Sequence, residues 1–173
     1  MQAVTFWKAV TMDRTDMLGD VLAFLAANDV TFCAIGGVAV NAYVEPVVTL
    51  DLDLVLAAPD LVRVEPLLAG LFTVERFAHS VNLAKSGSDL RVQLQTDPRY
   101  AAFVDRAVRA TVLGVELPVA RVEDVLQGKV WAALDPERRA SKRQKDLADI
   151  ARILESRPQL RGAVPGEILA RLI

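Results

Sequence analysis

Asp51 and Asp53 stand two residues apart within an alternating run, Val47 to Leu56. A strand turns successive side chains to opposite faces. Val47, Thr49, Asp51, Asp53 and Val55 are therefore expected on one face, and Val48, Leu50, Leu52, Leu54 and Leu56 on the other. Two hard oxygen ligands on one face suit a divalent ion, Mg²⁺ above all, bridged to substrate phosphates. The same pair alone would also describe a solvent-washed edge strand. The density of leucine and valine argues instead for a central strand, where adjacent like charges repel unless a cation stands between them.

Upstream, the β-rich run Val30 to Ile35 stops at Gly36-Gly37 and is followed by Val38 to Val44, which reads as a helix ending before Glu45-Pro46. A strand, glycine turn and helix in that order present bare backbone N–H groups to an anion such as a triphosphate. Downstream, Arg138, Arg139, Lys142, Arg143 and Lys145 cluster at the start of a helix, where the macrodipole disfavours positive charge and an anion would offset it. Asp146 and Asp149 can neutralise part of that cluster.

The elements that must hold these residues follow from period and punctuation. Thr15 to Ala27 reads as a helix, as does Pro59 to Gly70. Phe72 to Phe77, Val81 to Lys85 and Leu90 to Gln95 read as strands, the last carrying Arg91, Gln93 and Gln95 on one face. Asp97-Pro98 reads as a helix cap leading into Arg99 to Val108, and Val112 to Ala120 as a last strand or hairpin. Glu123 to Leu134 and Lys142 to Glu155 read as helices, the second opened by a capping box of Ser141 and Gln144. On that second helix Leu147, Ile150, Ala151 and Leu154 form the packing stripe. Lys142, Asp146 and Asp149 form another, expected to flank the cleft together with Lys129. His79, Phe103, Trp131 and Cys33 are assigned ordinary turn or core roles.

With 173 residues, 53% of them apolar, the chain is long enough for a buried core. A net charge of −2 excludes a general nucleic-acid binder, and a single cysteine excludes a disulfide framework. Val30 to Val44 is the longest uncharged stretch and is too short to span a bilayer. Met1 to Val10 lack the features of a secretory signal. The expectation is a cytoplasmic protein with no membrane association.

Ile35-Gly36-Gly37, Thr49-Leu50-Asp51-Leu52-Asp53, Lys129 and Lys145-Asp146-Leu147-Ala148-Asp149-Ile150, in that order, resemble the AbiEii-type nucleotidyltransferases of the DNA polymerase β-like superfamily. The resemblance runs from about Gly19 to Glu155. It implies an α/β (α+β) fold with a mixed central sheet of the nucleotidyltransferase palm type flanked by helices. Residues 1–120 would form the core, and residues 121–173 a helical part packed on the same domain. It implies transfer of a nucleotide from a nucleoside triphosphate, with Mg²⁺, to a hydroxyl of RNA or protein, and a cognate antitoxin or other partner protein.

Carried over residue by residue, Gly36 and Gly37 would hold the triphosphate; if the Lys142 stripe flanks the cleft, Lys142 or Lys145 is expected at the far end of that triphosphate. Asp51 and Asp53 would hold the metal, Lys129 would contact phosphate or substrate, and Asp146 would orient Lys145 or help the acceptor. Lys129, taken as a solvated cleft lysine, is expected to tolerate alanine without loss of the fold. There are two departures from the pattern. Gln93 stands where a third carboxylate is usual, which points to the alternative of a catalytically degenerate nucleotide- or partner-binding protein. Val47 and Val48 stand where a basic residue is common.

Overall fold

The computed structural model describes residues 3–172. Its centre is a seven-stranded mixed sheet in the order β3-β4-β5-β2-β1-β7-β6. The strands are β1 (Phe32–Ile35), β2 (Asp51–Leu56), β3 (Thr73–Arg76), β4 (Ser80–Ala84), β5 (Arg91–Gln95), β6 (Val108–Val112) and β7 (Val115–Val119). β2 lies near the middle, antiparallel to β1 and parallel to β5. Leu52, Leu54, Val55 and Leu56 of this strand are buried, as its apolar composition requires of a strand covered on both faces.

Helices cover the sheet: α1 (Ala3–Val10), α2 (Met17–Ala27), α3 (Gly36–Val40), α4 (Ala58–Leu68), α5 (Val122–Leu134), α6 (Ala140–Ser156) and α7 (Gly166–Leu169), with 3-10 turns at Pro98–Arg106 and Pro158–Ala163. α5 packs along α6, and both contact α3, which brings the C-terminal helices over the glycine turn. Leu147, Ile150 and Leu154 are buried as expected, Ala151 only partly, and Ile153 joins them.

Several expectations need correction. β2 begins at Asp51 rather than Val47; in the segment before it Thr49 is buried while Val47, Val48 and Leu50 are exposed. The helix after the glycine turn ends at Val40 and includes both glycines. Residues 98–106 form a 3-10 helix, although Asp97 does cap it by accepting a 3.0 Å bond from the Arg99 amide. The capping box is not formed: α6 starts at Ala140 with Arg139 at its N-cap and no side-chain cap. The last hairpin starts at Val108, inside the run read as the end of a helix.

α1 was not legible as a helix. It is anchored by fully buried Trp7, whose indole Nε1 donates to the Thr49 carbonyl at 2.8 Å. The junction after it is tied to the β4–β5 turn. The Asp89 amide donates to the Thr11 carbonyl at 2.7 Å, and the Arg14 amide to the Gly87 carbonyl at 3.0 Å.

Candidate active site

The register places the chemistry. β1 pairs Ile35 with Asp53, so the turn leaving β1 passes directly over that carboxylate. Gly36 has φ +65°, and a Cβ there would collide with the Asp53 carboxyl group. Only glycine satisfies both demands, positive φ and close approach. At Gly37 a Cβ would make ordinary contacts, 3.7 Å from Thr49 Oγ1 and 3.9 Å from Lys145 Nζ. Gly36→Ala is therefore expected to cost about 1–2 kcal/mol from backbone strain alone, and more if the carboxylate must move. Gly37→Ala should stay within about 0.5 kcal/mol. Urea denaturation of the two variants reads the contrast; equal losses would remove the conformational argument.

A cleft of about 360 Å³ opens over this floor, and Gly36, Gly37, Asp51, Asp53, Lys142 and Lys145 line one end of it. Asp51 accepts from Arg91 Nε at 2.6 Å through Oδ1 and from Lys142 Nζ at 3.2 Å through Oδ2. Burial raises the Asp51 pKa, but Lys142 and Arg91 outweigh it, and its carboxyl titrates below the usual range. Asp53 has no such partner: among the described residues no cation forms an ion pair with it. Burial, then the Asp51 charge, pushes its pKa up to about 6 against the pull of Lys129, Lys142 and Lys145.

That asymmetry carries a pH dependence. Because the folded-state pKa of Asp53 is raised, the native protein binds the extra proton between the ordinary carboxylate range and about pH 6, and its contribution to stability falls as pH rises through that window. A cation held at Asp53 would have the opposite slope, since the ionised form is needed. Mn²⁺ affinity is expected to fall up to tenfold per pH unit below about 6, and Asp53→Asn should abolish the inflection. A calorimetric pH series tests both; a profile flat between pH 5 and 7 would contradict the assignment.

Lys129 lies on the same cleft but is not solvated, which corrects the expectation for its removal. Its ammonium is buried, 3.1 Å from Asp146 Oδ1 and 2.9 Å from Asp149 Oδ2. Asp146 also accepts from Arg138 Nε at 2.8 Å, and Asp149 from Arg152 Nη1 at 2.9 Å. Asp146 is thus a partner of Lys129 and Arg138, with no ion pair to Lys145. The positive cluster at the start of α6 is dispersed: Arg138 onto Asp146, Lys142 onto Asp51, Arg143 onto the Asp135 carbonyl.

Sequence reasoning missed Arg91 as a site residue, although the parity of β5 put it beside Gln93. The parallel register sets Arg91 opposite Asp51 and Gln93 opposite Asp53. It also missed the far wall of the cleft, where Tyr100, Phe103 and Trp131 meet. Phe103 stacks on Trp131 at 5.7 Å, Tyr100 meets it edge-on at 5.2 Å, and the Arg99 guanidinium lies 4.9 Å from the Trp131 ring centre. Phe103 is core as expected, while Trp131 is only partly buried and borders the cleft. His79 is an exposed bend residue at the rim.

The donor set would suit one hard cation. Asp53 is a carboxylate pressed by a like charge and, among the described residues, in no direct ion pair, and Mg²⁺ commonly takes only one or two carboxylates, completing its shell with water and phosphate. Among the described residues no group of three acidic or imidazole ligands occurs, and Gln93 opposite Asp53 is neutral.

No family model and no curated protein matches the sequence. Solved structures do share its fold. The antibiotic-resistance factor ANT(2'')-Ia superposes with a TM-score of 0.58 at 13% identity, over 88% of this chain and 94% of that one. The lincosamide antibiotic adenylyltransferase LnuA, with lincomycin bound, gives 0.54 at 13% identity, over 79% and 95%. An antigenic nucleotidyltransferase-like protein from Paracoccidioides brasiliensis gives 0.51 at 16% identity, over 91% of each chain. The fold is that of the nucleotidyltransferases, as the resemblance implied. Among the described residues no helix is long and apolar enough to cross a membrane.

Proposed function

We propose that the protein is a nucleotidyltransferase that moves a nucleotide from a nucleoside triphosphate to a hydroxyl. One observation carries the reading: a carboxylate pair under a glycine turn, with Lys142 and Lys145 converging on the same end of one cleft. Asp51 and Asp53 would hold Mg²⁺, which when bound supplies Lewis-acid stabilisation of the phosphate charge.

The α3 helix has five residues, so its dipole adds little, and the attraction for phosphate comes from the lysines and the bare backbone of Gly36 and Gly37. The hydroxyl oxygen bonds to the α-phosphorus as the bond to pyrophosphate breaks. Lys142 and Lys145 stabilise the departing negative charge. Gln93 cannot take the hydroxyl proton, which passes to water.

The test is incubation with each labelled triphosphate, Mg²⁺ and cell extract, beside Asp51→Ala/Asp53→Ala. Label appearing on RNA or protein only with the parent chain is the expected result, and no transfer in any mixture would overturn it. Gln93 opposite Asp53 favours a second reading, a degenerate nucleotide binder. That reading predicts Mg²⁺-dependent binding of ATP, GTP, CTP or UTP in calorimetry without turnover. In the AbiEii-like form of the first reading the chain acts with a cognate antitoxin, and a small cotranscribed neighbouring gene whose product copurifies with it is the expected observation.

A further inference from the structure

Asp51 is already neutralised by the protein itself. Arg91 Nε takes one of its oxygens at 2.6 Å and Lys142 Nζ the other at 3.2 Å. We propose that Arg91 is a permanent cation standing in for a second divalent ion, so that the cleft accepts a single one, centred on Asp53 with Asp51 alongside. The inference rests on the nucleotidyltransferase reading and names how its charge is distributed.

Two ions about 3.5–4 Å apart need carboxylates to bridge them. The floor offers only two, one of them engaged at both oxygens, and the residue paired with Asp53 across the sheet is the neutral Gln93. The local charge points the same way. Asp51 and Asp53 already face the positive charges of Arg91, Lys142 and Lys145, which leaves less negative charge for a second ion. A guanidinium is also suited to the substitution. It stays charged at every accessible pH, and its planar fork binds phosphate oxygens in pairs. The Arg91 side chain is 62% exposed, free to move from Asp51 to a phosphate without repacking the core.

The inference is read with Mn²⁺ alone on the full chain, counting bound ions from the loss of the free-ion electron paramagnetic resonance signal. The parent should take at most one ion. Arg91→Gln, which removes the competing cation while keeping a polar side chain, should hold one about tenfold more tightly. Asp53→Asn should hold none at the same concentrations, and circular dichroism verifies that both variants are folded. Two ions on the parent, an Arg91→Gln affinity equal to or weaker than the parent's, or uptake that survives Asp53→Asn would each sink this inference and leave the nucleotidyltransferase reading standing. If neither the parent nor Arg91→Gln takes up Mn²⁺ at millimolar concentration, the metal-dependent reading itself fails, and the inference with it.

Discussion

Lys129→Ala should destabilise the protein by about 3–5 kcal/mol, the range for removing one partner of a buried ion pair. The ammonium sits between Asp146 and Asp149, both of them buried, and α5 and α6 are joined through it. Truncation leaves two carboxylates facing each other across the space it filled, with Arg138 and Arg152 as remaining partners at the cleft side and the surface. Native stability is typically only about 5–15 kcal/mol, so this loss would shift the urea midpoint visibly. Burial opposes the charge on Lys129, but Asp149 and Asp146 outweigh it and raise its pKa. Its stabilisation is therefore present below the unfolded-state lysine value and lost as pH rises beyond the raised folded one. Combining Lys129→Ala with Asp149→Asn should cost less than the sum of the singles, because the second change removes a charge the first left stranded. A midpoint shift below about 1 kcal/mol for Lys129→Ala would return the residue to the solvated role its sequence position suggested.

Asp53→Asn should act in the opposite sense, lowering transfer at least about 10³-fold, equivalent to about 4 kcal/mol of barrier, while making the fold more stable. Its raised pKa means that the ionised side chain is held at a cost, first from burial and then from Asp51. The neutral amide removes both terms and should stabilise the protein by about 1–3 kcal/mol at pH 7.5. Rising melting temperature with vanishing activity is the signature of a residue kept for chemistry rather than packing. Loss of both stability and activity would mark Asp53 as structural, and unchanged transfer would remove it from the mechanism.

What could be read in the chain and what could not divide along sequence distance. β1, the glycine turn and β2 are local patterns of alternation and punctuation, so their order and the shared face of Asp51 and Asp53 were legible. So was the buried stripe of α6, because helical period alone defines it. The burial of Lys129 was not, since its partners come from the next helix, 17 and 20 residues on, and no local rule pairs them. Arg91 was placed on the right face, but its bond to Asp51 needed the parallel register of two strands 40 residues apart. α1 escaped because its anchor is a single tryptophan reaching a backbone carbonyl in a distant loop, which leaves no periodic trace.

That tryptophan has a mechanical consequence. Trp7 grips the chain just before β2, while Thr11 and Arg14 grip the turn before β5, so one N-terminal segment spans the roots of the strands that carry Asp51 and Arg91. It works as a brace across the base of a two-pronged fork. The prongs are themselves paired in register from Asp51 and Arg91 onward, so the brace steadies the entry to both strands, and loosening it would fray that entry before it parted Asp51 from Arg91.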